Sequence, residues 1–389
     1  MNNPISLYFH VPYCNNKCIY CDFYSGGARI ADWQALTTSF LNELGSRRSE
    51  WEGCDVVSIY FGGGTPSLIP VEIFAGLLIA IKNLIGADRI APDCEITLEA
   101  NPEDVNPEAV DYWKQSGVNR VSLGVQTFSD SSLRSIGRRH SGEEARRALE
   151  LLTSEFNNVS ADLIFGLPNQ TLSDLRQDLV MLTALSPEHI SVYSLMYEPG
   201  TALTYLRDSG KIAQIGEEEA AEMFDTIVAT LEEAGYDRYE TSNYARPGYE
   251  SRHNSGYWTG RAYVGIGPSA HSYDGVSLRK SNPADLKSYI SHWSDWSEGR
   301  HDSVDYPIER EHLTPEERRE EMLMLSLRMK KGLDLNLYET RFGSEALRTL
   351  LLKARPAIDR DQLRLTPDSR LSITDSALMI SDTLLLTLL

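Results

Sequence analysis

The chain is short of cysteine, of positive charge and of long apolar runs, and each shortage excludes something. Five cysteines among 389 residues are an odd number and do not fit a secreted disulfide framework, so a reducing, cytoplasmic compartment is expected. No stretch approaches roughly 18 uninterrupted apolar residues, so no segment is expected to span a membrane. The N-terminus lacks a basic region followed by an apolar one, and no signal peptide is expected. The apolar tail Thr383–Leu389 is too short to span and predicts a docked final helix or strand. Lys and Arg number 37 against 56 Asp and Glu, a formal charge of −19. Such a field repels phosphate backbones and argues against a nucleic-acid partner. Basic runs are confined to pairs such as Arg138-Arg139 and Arg318-Arg319. Gly and Pro are scattered and no heptad persists, which excludes collagen-like and coiled-coil classes.

What is present is a repeat of strand and helix. β-Branched or aromatic runs at Ser6–Val11, Val56–Phe61, Glu95–Leu98, Val121–Val125, Ser160–Phe165 and Ile190–Leu195 alternate with helical patterns. The helices are expected at Asp32–Arg47, Val71–Leu84, Pro107–Gln115, Glu143–Leu152, Leu172–Leu185 and Glu217–Ala234. This alternation predicts a parallel α/β fold with helices outside. Spacing alone leaves an open doubly wound sheet and a barrel both standing. Unusual residues fall at the strand ends: Gly62-Gly63-Gly64-Thr65-Pro66, Glu99 and Asn101, Gln126, and Gly166-Leu167-Pro168 after Asp162. In parallel sheets ligands bind at those ends, so one shared site is expected.

The texture changes near residue 235. Three parts are expected: 1–235, a connecting region over 236–300, and a smaller C-terminal part over 301–389, with a linker or surface excursion at Trp293–Pro307. Thr314-Pro315-Glu316-Glu317 carries the start chemistry of a helix. A second helix near Leu337–Lys353 and a hairpin at Leu363–Ile373 predict a small winged-helix-like α+β module, read here as packing scaffold.

Three cysteines crowd together as Cys14-Asn-Asn-Lys-Cys18-Ile-Tyr-Cys21. A zinc site usually takes four ligands in two pairs, and no obvious fourth follows. Three thiolates on one loop can hold three irons of a [4Fe–4S] cube and leave the fourth iron open for an external ligand. Cys54 and Cys94 each precede an apolar run and read as buried small residues.

The C-x3-C-x2-C loop after a first strand, with Gly62–Pro66 at the end of the second, resembles the radical S-adenosylmethionine (SAM) superfamily. The resemblance implies a partial (β/α)6 barrel, a [4Fe–4S] cluster on Cys14, Cys18 and Cys21, and SAM chelating the open iron. Reduction would then cleave SAM to a 5′-deoxyadenosyl radical, the protein supplying orientation and exclusion of water. Tyr8–Cys14, Leu98–Pro102, Gly124–Phe128 and Asp162–Pro168 further resemble the oxygen-independent coproporphyrinogen III oxidase group, within it the haem-chaperone branch. That resemblance implies a SAM pocket of Tyr8, Gly63, Gly64, Thr65, Glu99, Gln126, Arg138 and Asp162. The oxidases of the group carry a further cysteine where this chain has Phe23, and a longer N-terminal extension, so decarboxylation of a porphyrinogen is the alternative rather than the expectation. His253-Asn254-Ser255-Gly256-Tyr257-Trp258 resembles the chaperone branch's H-N-x-x-Y-W motif. It implies haem as cargo, with His253 as candidate ligand and Tyr257 and Trp258 as porphyrin-facing rings. His271 is a second candidate, and His10, beside the cluster loop, reads as structural. The partners implied are haem and acceptor haemoproteins at a membrane surface.

Overall fold

The computed structural model describes residues 3–294 and 306–389; most of the expected excursion at Trp293–Pro307 lies outside the described residues. Strands β1 (Asn3–Val11), β2 (Cys54–Gly63), β3 (Ile90–Ala100), β4 (Arg120–Gln126), β5 (Val159–Phe165) and β6 (His189–Ser194) are parallel, each beside the next in the chain. A doubly wound sheet reverses its strand order at a switch point. This one does not, which decides for the partial (β/α)6 barrel. After the successive strands come α1 (Trp33–Ser46), α2 (Val71–Ile85), α3 (Pro107–Ser116), α4 (Gly142–Glu155), α5 (Leu172–Leu185) and α6 (Glu217–Glu233). Their starts follow local chemistry: Ser141 with Glu144 and Thr171 with Asp174 form capping boxes on α4 and α5, and Asn106 caps α3 ahead of Pro107.

Side chains alternate along a strand with period two. Leu7, Phe9 and Val11 of β1 and Val121, Leu123 and Val125 of β4 are fully buried in the core shared with the helices. Their neighbours, such as Tyr8, Tyr60, Glu99, Arg120, Ser122 and Asp162, face the lumen. Parallel barrels usually fill this space with branched apolar residues; here it is polar and hydrogen-bonded across strands.

The sheet continues on both sides without closing. β7 (Asp237–Arg238) and β8 (Asn243–Ala245) extend it beyond β6, with α7 (Arg252–Trp258) following. On the other side β9 (Tyr263–Ile266) lies parallel to β1, and β10 (His271–Tyr273), β11 (Leu278–Ser281) and β12 (Glu309–His312) continue antiparallel, with α8 (Leu286–Trp293) between the last two. The change of texture near residue 235 thus marks the end of the repeat, while the sheet runs on through it. The C-terminal part orders α9 (Pro315–Arg328), β13 (Leu333–Asp334), α10 (Leu335–Phe342), α11 (Ser344–Asp359), β14 (Leu363–Leu365) and β15 (Arg370–Ile373), a winged-helix arrangement, before α12 (Ser381–Leu388). The single helix expected near Leu337–Lys353 is two: Gly343, at φ 88°, separates α10 from α11. The apolar tail is the docked α12, with Leu384, Leu385 and Leu388 buried.

One carboxylate joins the barrel to its extension. Glu43 of α1 is fully buried and accepts from Arg47 Nη1 at 3.0 Å, Asn282 Nδ2 at 2.8 Å, the Gly267 N–H at 2.9 Å and the Tyr289 hydroxyl at 2.7 Å. Arg47 also donates to the Gly265 carbonyl at 2.7 Å and to Ser272 Oγ at 2.8 Å. Arg47 also pairs with Glu50, Nε and Nη2 each 2.9 Å from a carboxylate oxygen, so loss of Glu43 leaves the guanidinium one partner but strands the Asn282, Gly267 and Tyr289 donors inside the protein. Glu43→Ala should therefore cost about 3–5 kcal/mol in chemical denaturation. Glu43→Gln, which keeps an acceptor for those donors, should cost less; an equal or greater loss would contradict the assignment of the penalty to them.

Candidate functional site

Cys14, Cys18 and Cys21 are free thiols, half-buried, on the loop that leaves β1. Backbone bonds pin its root to the glycine turn, with Gly64 N–H donating to the Val11 carbonyl and Thr65 N–H to that of Tyr13, both at 2.8 Å. Further along, Ile19 N–H donates to the Ile136 carbonyl at 3.2 Å, and Asn16 Nδ2 to that of Gly137 at 2.9 Å. Thr65 Oγ1 lies 3.5 Å from Cys14 Sγ, and Arg138 Nη1 lies 3.7 Å from Cys18 Sγ. Burial, then the Cys18 and Cys14 thiols nearby, push the Cys21 thiol up. Among the described residues no three His, Cys, Asp or Glu groups close on a single ion. With Arg138 beside the three thiols, the donor set fits a [4Fe–4S] cluster.

The glycines of the turn serve contacts within the protein. A Cβ on Gly64 would stand 2.5 Å from the Tyr13 carbonyl oxygen, and one on Gly63, at φ 104°, 2.5 Å from the His10 ring. The turn's N–H groups are committed: that of Gly63 donates to Glu99 Oε2 at 3.2 Å, and those of Gly64 and Thr65 hold the loop root. The turn is therefore no cradle of amides for an anion.

Below the turn the lumen collects the remaining candidates. Glu99 accepts from the Tyr60 hydroxyl at 2.7 Å. Burial, with Asp162 as a second acid nearby, raises its pKa to about 7. Asp162 accepts from Ser122 Oγ at 3.3 Å, and burial raises it too. The lumen cation in their field is Arg120, 1% exposed, which forms no ion pair with either acid within 4 Å. Arg138 Nη2 donates to Asn101 Oδ1 and to the Gly124 carbonyl, each at 2.7 Å, and Asn101 Nδ2 reaches Thr65 Oγ1 at 3.3 Å. Gln126 sits at φ 66° where the β4–β5 register shifts, a strained strand end that re-aims its side chain beside Arg138 and Asn101. Tyr8 stacks on Tyr60 at 6.0 Å and shares a hydrogen bond of 3.2 Å with His10 Nδ1. Of the eight residues expected in the SAM pocket, Thr65 and Arg138 touch the thiols, Gly63, Gly64, Glu99 and Gln126 lie at strand ends, and Tyr8 and Asp162 lie deeper along their strands. Tyr60, Asn101 and, deeper still, Arg120 join them. The signal for Arg120 is a cation in period-two step with Ser122 and Gln126 and out of step with Val121, Leu123 and Val125.

The H-N-x-x-Y-W residues do not share one surface. His253 is 1% exposed, and both its ring nitrogens are engaged: Nδ1 with Ser58 Oγ and Nε2 with the Tyr257 hydroxyl, both at 2.9 Å. Its ring stacks on Tyr60 at 4.7 Å, and burial lowers its pKa to about 3. As packed, it presents no nitrogen to a haem iron. Trp258 turns toward the C-terminal part, with the Arg328 guanidinium 5.9 Å from its ring. Tyr257 and Trp258 are both half-buried, and Tyr257 is the one that lines the groove described below. His10 is structural, as expected, its Nε2 on the Tyr24 carbonyl at 2.9 Å. His271 is exposed at the start of β10.

Comparison with known proteins agrees with this geometry. Residues 8–182 match the Radical SAM superfamily model, and residues 313–380 match the HemN C-terminal domain. The heme chaperone HemW of Bacillus subtilis is 34% identical over 340 residues, 87% of each chain. That of Synechocystis sp. is 35% identical over 340 residues, 85% of this chain and 79% of its own. The structure of coproporphyrinogen III oxidase (HemN) from Escherichia coli, described as a radical SAM enzyme, shares the fold at TM-score 0.82 and 21% identity, covering all of this chain and 90% of that one. With a thiol loop, glycine turn and polar lumen in one place, and relatives of this identity along most of its length, the chain belongs to the HemW family of the radical SAM superfamily.

Proposed function

We propose that this protein is a haem chaperone that holds a [4Fe–4S] cluster on Cys14, Cys18 and Cys21, binds SAM beneath it, and passes haem to acceptor haemoproteins at a membrane surface. The observation that carries the cofactor reading is the meeting of three thiols, Arg138 and the desolvated pair Glu99 and Asp162 at one strand-end face. Kinship with heme chaperones carries the cargo. Cluster and SAM together supply radical chemistry; the chain's own work is to bind, orient and keep water out. Two half-buried acids with Arg120 as the nearby cation leave room for a further positive charge, as the amino and sulfonium groups of SAM require. Carbonyl oxygens of Gly63 and Gly64 and the Glu99 carboxylate suit the amine. Spare guanidinium donors of Arg138 suit a carboxylate, and Asp162 and Gln126 suit ribose hydroxyls. Tyr8 floors the pocket. Five free cysteines support a cytoplasmic site of action, and no described helix is long and apolar enough to cross a membrane, so contact with a membrane would be peripheral.

The oxidase alternative rests on a fold shared at 21% identity. Phe23, 60% exposed just past the loop, stands where the oxidases place their further cysteine. Anaerobic incubation with coproporphyrinogen III and SAM should yield no protoporphyrinogen, and turnover would reverse the order of the two readings.

Anaerobic reconstitution should load about four irons and four sulfides per chain, with the broad visible absorption of such cubes. Cys18→Ala should abolish loading, whereas Cys54→Ala should leave it intact.

A second outcome concerns pH. The folded pKa of Glu99, about 7 against an ordinary 4.5, means that the folded state keeps a proton the unfolded chain has lost. Its stabilising share is present below pH 4.5 and is lost as pH rises through about 7, at most about 3 kcal/mol. Glu99→Gln should flatten that part of the decline between about pH 5 and about pH 8 in denaturant titrations. SAM, a cation, selects the ionised form, so wild-type affinity should strengthen over the same rise. Glu99→Gln should bind SAM about tenfold more weakly at the upper pH and lose the dependence.

A further inference from the structure

The extension of the sheet builds a groove that the SAM pocket does not use. It encloses about 650 Å³, within the range of cofactor sites. Its floor is the lumen-side face of β9 to β12. Register puts Tyr263, Tyr273 and Arg279 in one row across these strands, and His271 opposite Ser281 in the next. Tyr257 of α7 and Leu325 of α9 close the side. Three tyrosine rings line it in sequence: Tyr257 meets Tyr263 at 4.7 Å and 90°, and Tyr263 meets Tyr273 at 6.5 Å.

We infer that this groove is the haem site, with the His271 imidazole as iron ligand and the Tyr257, Tyr263 and Tyr273 rings against the porphyrin. The inference rests on the haem-chaperone reading above and assigns its cargo a place. Haem needs flat apolar walls, one ligand for the iron and a cation near its carboxylates. Of the histidines near this face, His253 and His10 have both ring nitrogens engaged. The ring of His271 makes no hydrogen bond or ion pair among the described residues, and it is exposed on the groove wall. The three tyrosines are poor alternatives, because burial raises each phenol and opposes the phenolate that iron would require. On the groove face the cation is Arg279, held by Glu311 and Glu321, and a propionate there would compete with those carboxylates; Arg310 and Lys280 lie opposite each other on the other face of the sheet, where Lys280 pairs with Glu50.

The motif histidine keeps a part in this arrangement. His253 Nε2 holds the Tyr257 hydroxyl and so fixes the ring that separates lumen from groove. It is a positioning residue, and the two histidines are told apart by spectrum.

The test is a titration of cluster-loaded protein with haem under anaerobic conditions, reading the Soret band, the ligand-field spectrum and the affinity. Wild type should take up haem with the signature of an imidazole ligand. His271→Ala, at an exposed position, should shift the band and weaken affinity on the order of tenfold, and added imidazole should restore the wild-type spectrum. His253→Asn should weaken uptake while keeping the imidazole signature. An unshifted spectrum in His271→Ala overturns the assignment whatever its affinity, and leaves the chaperone reading standing because wild type has bound haem. A wild-type protein that takes up no haem overturns the chaperone reading, and the groove site with it.

Discussion

Charge buried inside the barrel is the constraint on which the rest of this structure depends. The outward faces of the strands spend their apolar side chains on the helices, and period two then puts every second residue into the lumen. Here those residues are Tyr60, Glu99, Arg120, Ser122 and Asp162, and each must find a partner or pay desolvation. Glu99 takes the Tyr60 hydroxyl and the Gly63 N–H. Asp162 takes the serine hydroxyls beside it. Their charge is left only partly answered, since Arg120 pairs closely with neither acid. Such a lumen has room for further positive charge, which is why the proposed reading places a cationic ligand there.

The same accounting explains the glycine turn. A run of three glycines beside a strand end invites the idea of an amide cradle, but its amides are already engaged. Gly64 is glycine because the β1 end and the root of the thiol loop cross its α-carbon, and Gly63 because the His10 ring lies against it. Cluster loop and turn are one packed unit, so any side chain at Gly64 would move Cys14 through the Val11 and Tyr13 carbonyls. That coupling, more than contact with a ligand, is what the glycines secure.

Much of this was legible in the sequence, and the part that was not has a common cause. Strands such as Val121–Val125 and helices such as Leu172–Leu185 show their period directly, and Cys14, Cys18 and Cys21 show their spacing. The order of the strands did not follow from the alternation; it took β1 to β6 lying in chain order to choose the barrel. The split at Gly343 was missed because the apolar pattern runs through it, although a left-handed glycine ends a helix whatever flanks it. Contacts distant in sequence left least trace. Glu43 meets Asn282 and Tyr289 across more than two hundred residues, and no local pattern marks a carboxylate as the joint of two regions. The setting of His253 was illegible for a related reason: motif and aromatic neighbours were visible, but not that Ser58 and Tyr257 would engage both nitrogens.

Those contacts make the boundary between lumen and groove a continuous one. Tyr257 donates to or accepts from His253, His253 stacks on Tyr60, and Tyr60 holds Glu99, which in turn holds the Gly63 amide. A path of contacts transmits nothing unless one member has two arrangements. Of the four side chains, His253 and Tyr60 are buried, whereas Tyr257 at one end and Glu99 at the other are half-buried. On the reading proposed above, a flat ligand in the groove would act on Tyr257 and SAM in the lumen on Glu99, at the two ends of the path. If occupancy of the groove shifts Tyr257, the hydrogen bond on His253 Nε2 changes first, and Glu99 feels it through a stacked ring rather than through charge. By linkage the effect must run equally in reverse, so that filling the lumen alters the affinity of the groove by the same factor.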